Sequence, residues 1–177
     1  MMRITRLSVA VVVFLLLPGC VTRKFQTNTT ASNISVSSVP NLIVTQPVSL
    51  KNSSPQSGDA VIAEYFGWEV YGDLHKFTES AVGATKNALE RQNATISDTA
   101  DKVLELSVRG VELEEGAVTF RVTTTLSVRT GDAVTKEYVA TRRHGNVYGT
   151  TPTIETTLGL CIEKMLNDDA IVQYLAR

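Results

Sequence analysis

Hydrophobic and polar residues alternate most regularly between residues 104 and 144. Leu104, Leu106 and Val108 alternate with Glu105, Ser107 and Arg109, and Val118, Phe120, Val122, Leu126 and Val128 alternate with Thr119, Arg121, Thr123, Ser127 and Arg129. A period of two is the signature of a half-buried strand. Gly110 breaks the phase and predicts a bulge. Glu114-Glu115-Gly116 and Thr130-Gly131-Asp132 read as turns, and Val134 to His144 as the third strand. One apolar and one polar face predict an antiparallel meander, solvated on one side.

The period changes on either side of this block. Leu74, Phe77, Ala81, Ala84, Ala88 and Leu89 recur at helical spacing, with Glu79, Lys86, Glu90 and Arg91 on the other side. Asp73 is the expected N-cap, and the helix should run to about Gln92. Gly83 inside it points to close packing. A second helix should open at Thr151-Pro152, an N-cap followed by proline at the first helical position. Ile154, Leu158, Cys161, Ile162, Met165 and Leu166 form its apolar stripe. Asn167-Asp168-Asp169 ends it and caps a short last turn, whose Ile171, Tyr174 and Leu175 pack back on the sheet. Upstream, a first strand is expected near Leu42-Ile43-Val44-Thr45, continuing past Pro47 toward Leu50. The proline suggests an edge strand. Ala60 to Phe66 reads as another short strand, with a helical alternative. The fold class expected is α+β: an antiparallel sheet of about four strands with two amphipathic helices on one face.

The start of the chain has a different pattern. Arg3 and Arg6 precede a continuous apolar run from Leu7 to Leu17, broken only by Ser8, and Pro18-Gly19-Cys20 follows. A charged n-region and a short h-region describe an export signal; the run is shorter than the roughly 20 residues a membrane span needs. Leu17-Pro18-Gly19-Cys20 resembles the bacterial lipobox, with leucine three residues before the cysteine and a small residue directly before it. Pro18 stands where alanine or serine is commoner. The resemblance implies cleavage between Gly19 and Cys20. It also implies a covalent diacylglycerol and an N-acyl chain on the Cys20 sulfur and amine, with no other cofactor. More than one acyl chain is what stable anchoring requires. Val21, in place of aspartate, implies sorting to the outer membrane, facing the periplasm.

These features divide the chain into residues 1–19, a lipoprotein signal peptide; 20–40, the lipidated cysteine and a flexible tether; and 41–177, a periplasmic α+β domain. The tether is inferred from Ser, Thr and Asn content around Thr27-Asn28-Thr29-Thr30-Ala31-Ser32-Asn33. Asn-x-Ser/Thr triplets at Asn28, Asn33, Asn52 and Asn93 read as polar loop composition. Without its leader the chain keeps 15 Lys and Arg against 18 Asp and Glu. That balance gives no basic excess to attract nucleic acid. With Cys20 acylated, Cys161 has no disulfide partner, and a lone thiol in an oxidising compartment is best buried.

Phe120-Arg121-Val122-Thr123, Lys136-Glu137-Tyr138-Val139-Ala140, Asn146-Val147-Tyr148-Gly149 and Asn167-Asp168-Asp169-Ala170-Ile171 lie in a stretch from Leu104 to Leu175. In the order of its elements and in these strings, the chain resembles the YajG-type family of uncharacterised bacterial lipoproteins. The resemblance covers about two fifths of the chain. It implies fold and location and supplies no site residues.

Several side chains invite a chemical reading. Tyr65, Phe66, Trp68 and Tyr71 are candidate partner contacts, because aromatics with a polar handle suit protein or glycan surfaces. His75 lies four residues before Glu79 on one helix face and follows Asp73, but spacing offers no third metal ligand. Arg142-Arg143-His144 near Tyr148 could read an anion, against the plainer reading of a solvated strand end. Cys161 sits on an apolar stripe as a structural thiol. Glu112, Glu114 and Glu115 read as a solubilising hairpin tip. Phosphate loops, zinc spacings and the Gly-x-Ser-x-Gly elbow find no match. The expectation is a non-enzymatic envelope lipoprotein, without metal, that binds a protein partner or supports an assembly. The alternatives are a lipid or glycan carrier and, further off, a cell-wall hydrolase.

Overall fold

The three alternating segments are realised in a computed structural model that describes residues 23–177 apart from 56, 66, 67, 117 and 118. The expected signal peptide, Cys20, Val21, Phe66 and Val118 lie outside the described residues, as does the Tyr65 side chain. Seven strands and three helices are described: β1 Arg23–Gln26, β2 Val48–Asn52, β3 Ala60–Tyr65, β4 Trp68–Gly72, α1 Leu74–Glu90, β5 Lys102–Glu115, β6 Phe120–Thr130, β7 Thr135–His144, α2 Thr150–Leu166 and α3 Asp169–Ala176. The class is α+β. No described helix is long and apolar enough to cross a membrane.

The main sheet has the order β2-β5-β6-β7. Leu106 lies opposite Val128 and Val108 opposite Leu126; the register then slips so that Gly110 faces Thr125. That slip is the bulge the broken alternation predicts. The sheet is not wholly antiparallel, because β2 runs parallel to β5, with Leu50 beside Leu104. A parallel pair needs a long crossover, and β3, β4 and α1 provide it. β2 also begins later than expected. Ile43 is 74 % exposed, Pro47 has no N–H to donate, and the ladder opens at Val48, whose N–H reaches the Thr95 carbonyl at 2.9 Å.

A second, three-stranded sheet has the order β1-β4-β3; the short strand expected at Ala60 to Phe66 is its β3, and the sheet itself and its other two strands were not expected. The aromatic segment supplies its central strand. β3 pairs antiparallel with β4, and β1 pairs parallel with it, Arg23 beside Trp68 and Gln26 beside Tyr71.

Asp73 caps α1 as its position predicts, accepting from the N–H groups of His75 (2.9 Å) and Lys76 (3.3 Å). α2 starts two residues earlier than expected. Its N-cap is Gly149, after a single 3-10 turn at Val147–Gly149, and no side chain caps it. Thr151 and Pro152 therefore lie inside the first turn, where a missing N–H costs nothing because those donors have no partner within the helix. α3 is a full helix rather than a turn, capped by Asp168, which accepts from the Ala170 N–H at 2.9 Å. Both long helices pack on one face of the main sheet. Phe77, Leu89, Leu104, Leu106, Leu126, Ile154, Leu158, Ile162 and Met165 fill the seam and are fully buried.

The expected tether is not a tether over residues 23–40. Ile34 and Val36 belong to the core, and Thr27 and Thr29 are buried. The segment lies over α1 and α2 as a strap fixed by hydrogen bonds from distant residues. Thr29 and Ser80 bond each other: the Thr29 hydroxyl donates to Ser80 Oγ (3.0 Å), and the Ser80 hydroxyl donates to the Thr29 carbonyl (2.9 Å). Glu155 Oε1 accepts from Asn33 Nδ2 at 3.1 Å. Glu163 Oε1 accepts from the Ser37 N–H, the Ser37 hydroxyl and the Ser38 N–H at 2.6, 2.7 and 3.1 Å. Arg91 donates to the Val36 carbonyl at 3.0 Å. Two helix glycines make room for this path. A methyl at Gly83 would stand 2.7 Å from Ala31 Cβ, and one at Gly159 would overlap the Ser35 carbonyl. Side chains of Ser80, Arg91 and Glu163 satisfy the strap's backbone, and the strap's own polar side chains bond the helices in turn.

Candidate functional site

Of the aromatic candidates, Trp68 opens β4 beside Arg23, and Tyr71 stands three residues further along it, level with Gln26. Arg23 and Phe25 share one face of β1 with Trp68 of β4, whereas Lys24 shares the other face with Tyr71. The Arg23 guanidinium lies 5.4 Å from the Trp68 ring centre, and the Lys24 ammonium 5.2 Å from that of Tyr71. Both are cation–π distances. Trp68 and Tyr71 are half-buried, so β1 covers part of the surface that the sequence leaves free. The Tyr71 hydroxyl donates to Glu69 Oε2 at 2.6 Å, and that bond to a carboxylate raises the phenol above its ordinary range. Phe25 meets Tyr148 edge-on at 6.1 Å. Tyr148 itself is 69 % exposed.

The other candidates separate. His75 faces Glu79 at 3.4 Å, as their spacing predicts, and its Nδ1 lies 3.4 Å from Asn52 Nδ2. Asp73 is occupied as the α1 cap and also accepts from the Gly58 N–H at 3.0 Å. His144 stands at the end of β7, its ring stacked on Phe120 at 5.3 Å and its Nδ1 2.6 Å from the Asn146 carbonyl. Among the described residues no three of His, Cys, Asp and Glu converge to hold a metal. Cys161 is fully buried, and its thiol donates to the Tyr138 carbonyl at 3.3 Å. Burial pushes that thiol up to about 11, so it is protonated and unreactive near neutral pH.

Sequence reasoning missed one cluster on the sheet face turned away from the helices. Arg121 of β6 lies beside Arg143 of β7, and Thr123 beside Thr141. The two threonine hydroxyls are 3.0 Å apart. Glu114 binds Arg121 at 2.9 Å. With Arg142, these side chains line an open polar depression of about 580 Å³. The Arg142-Arg143 doublet was visible in the sequence. Its meeting with Glu114 and Arg121 depends on the strand register. A second feature missed is Lys102, buried by the C-terminal helix and donating to the Leu175 carbonyl at 2.9 Å. Burial lowers its pKa.

No family model matches the chain, and neither does any curated protein. Among solved structures, it is similar to the crystal structure of protein XCC0632 from Xanthomonas campestris, described by the family model DUF330. The TM-score is 0.50 with 13 % identity, over 86 % of this chain and 95 % of that one. No comparison brings up the YajG-type family specifically. At this identity the likeness is one of fold: this chain shares the architecture of a DUF330 protein.

Proposed function

We propose that the chain is a lipoprotein of the outer membrane, anchored through Cys20 and facing the periplasm, that works without catalysis by holding an envelope protein partner. The observation that carries the reading is Leu17-Pro18-Gly19-Cys20 at the end of a charged and apolar leader. The likeness of residues 104–175 to YajG-type lipoproteins supports the same location. For the partner surface we favour the far half of the sheet face turned from the helices, with Arg121, Thr123, Thr141 and Arg143, and Arg142 lining the same depression. It combines charge, hydroxyls and the free edge of β7. An edge strand flanked by polar side chains suits another protein's strand or loop. The carrier alternative would open the helix–sheet seam, which fully buried side chains fill.

Two measurements test the reading. The N-terminal peptide of the mature protein should carry acyl mass on Cys20. Cys20→Ser should then move the protein from the outer-membrane fraction to the unprocessed or soluble one. An unmodified Cys20 peptide in mature protein overturns the anchor. A photo-crosslinker at Thr141 should give one reproducible adduct in intact cells that Arg142→Glu with Arg143→Glu removes. Recovery of the protein alone overturns the partner surface.

A further inference from the structure

The small sheet ends where the chain arrives from Cys20. β1 begins at Arg23, so Val21 and Thr22 alone separate the acylated residue from a folded strand. Three residue steps reach at most about 11 Å when fully extended. The headgroup layer on each side of a bilayer is itself roughly 5–8 Å deep. A domain held by residues 20–40 as a loose tether could stand far from the surface, but β1 paired to β4 and the strap fixed on both helices remove that slack.

The residues at this end suit a lipid surface. Arg23 is exposed and lies over Trp68, and Lys24 is exposed beside Tyr71. Tyr148 extends the aromatic edge through Phe25. Tryptophan and tyrosine prefer the membrane–water interface, where the ring is apolar and the polar tip stays wet. Arginine and lysine meet lipid phosphates there. The nearest carboxylates on this sheet are Glu69 and Glu64, paired with each other one register step further in. Glu69 is already engaged by the Tyr71 hydroxyl. Arg23 therefore leads beside Trp68, while Lys24 stands level with Glu69.

We propose that this end of the small sheet, Arg23, Lys24 and Trp68 with Tyr148 beside them, rests on the phosphate headgroups of the membrane that holds the anchor. The domain then stands on its small sheet in one orientation. The proposal rests on acylation of Cys20.

Trp68 is the chain's one tryptophan and so reports from this end alone. Mature, acylated protein is placed in vesicles of phosphatidylethanolamine and phosphatidylglycerol, with or without phosphatidylcholine brominated near the headgroup end of its acyl chains. Trp68 emission should fall in the brominated vesicles and its maximum should shift to shorter wavelength than in detergent. Arg23→Glu with Lys24→Glu should still float with the vesicles but lose much of the quenching. Equal emission in the two kinds of vesicle, with the protein still floating, overturns the proposal and leaves this end for a protein contact. Protein that carries no acyl mass and does not float overturns the anchor reading itself, and this proposal with it.

Discussion

The β5–β7 meander and the strap at residues 23–40 are both held against the same helices, by opposite means. The meander's alternation puts Leu104, Leu106, Leu126 and Val128 on the buried face, each fully buried. The strap places only Ile34 and Val36 in the core and depends on carboxylates and hydroxyls that bind its backbone. Apolar burial is non-directional and survives small shifts. A hydrogen-bonded strap depends on every partner being in place, because a buried group left unpaired loses its bond and its water together. The meander should therefore set the global stability, and the strap should be the first part to open.

Four measurements would break or sharpen that contrast. Leu106→Ala should cost about 2–5 kcal/mol of global stability through the cavity it leaves, read as a lower denaturant midpoint with an unchanged slope. A cost confined to the strap's amides would refute the division. Gly159→Val should cost about 1–3 kcal/mol by forcing the Ser35 carbonyl off α2. Its effect should appear as faster hydrogen exchange in residues 31–38 while β5 and β6 keep their protection. Ser80→Ala strands the buried Thr29 hydroxyl and carbonyl, and should cost about 1–2 kcal/mol with the same local exchange signature.

The smallest effect concerns pH. Burial alone would raise the Glu163 carboxyl, but the Ser37 hydroxyl and the Ser37 and Ser38 amides outweigh it and hold the group below its usual range. A carboxylate with a depressed folded pKa contributes fully above its unfolded value, about 4.3, and loses that contribution as pH falls through the folded one. Strap protection should fall on acidification below that range. In Glu163→Gln it should start lower and lose this pH dependence. An unchanged acid profile in the variant would remove Glu163 from the account. The effect should be well under 1 kcal/mol globally, because the pair of segments it joins is partly solvated.

The candidate site was legible in part for related reasons. The local pair His75–Glu79 and the Asp73 cap follow from spacing within one helix, and both appear as read. The burial of Cys161 follows from its apolar stripe. The aromatic run was visible as a run, but its role as β4, half-covered by β1, was not. Nothing in Arg23-Lys24-Phe25-Gln26 marks it as a strand apart from its partner. The Arg121–Glu114–Arg143 cluster needs the β5–β6 and β6–β7 registers, which only alignment of three strands supplies.

By itself, then, the sequence determined the elements whose instructions are local and periodic: three strands with a bulge at Gly110, two amphipathic helices, the Asp73 cap and the α+β class. Tertiary structure alone decided the parallel partner of β2, the joining of β3 with β4 and β1 in a small sheet, and the course of residues 23–40. Those features depend on contacts between residues far apart in the chain, such as Asn33 with Glu155 and Ser37 with Glu163. A serine or asparagine is polar in the sequence whether it faces water or a buried carboxylate. Only the fold brings the carboxylate to it.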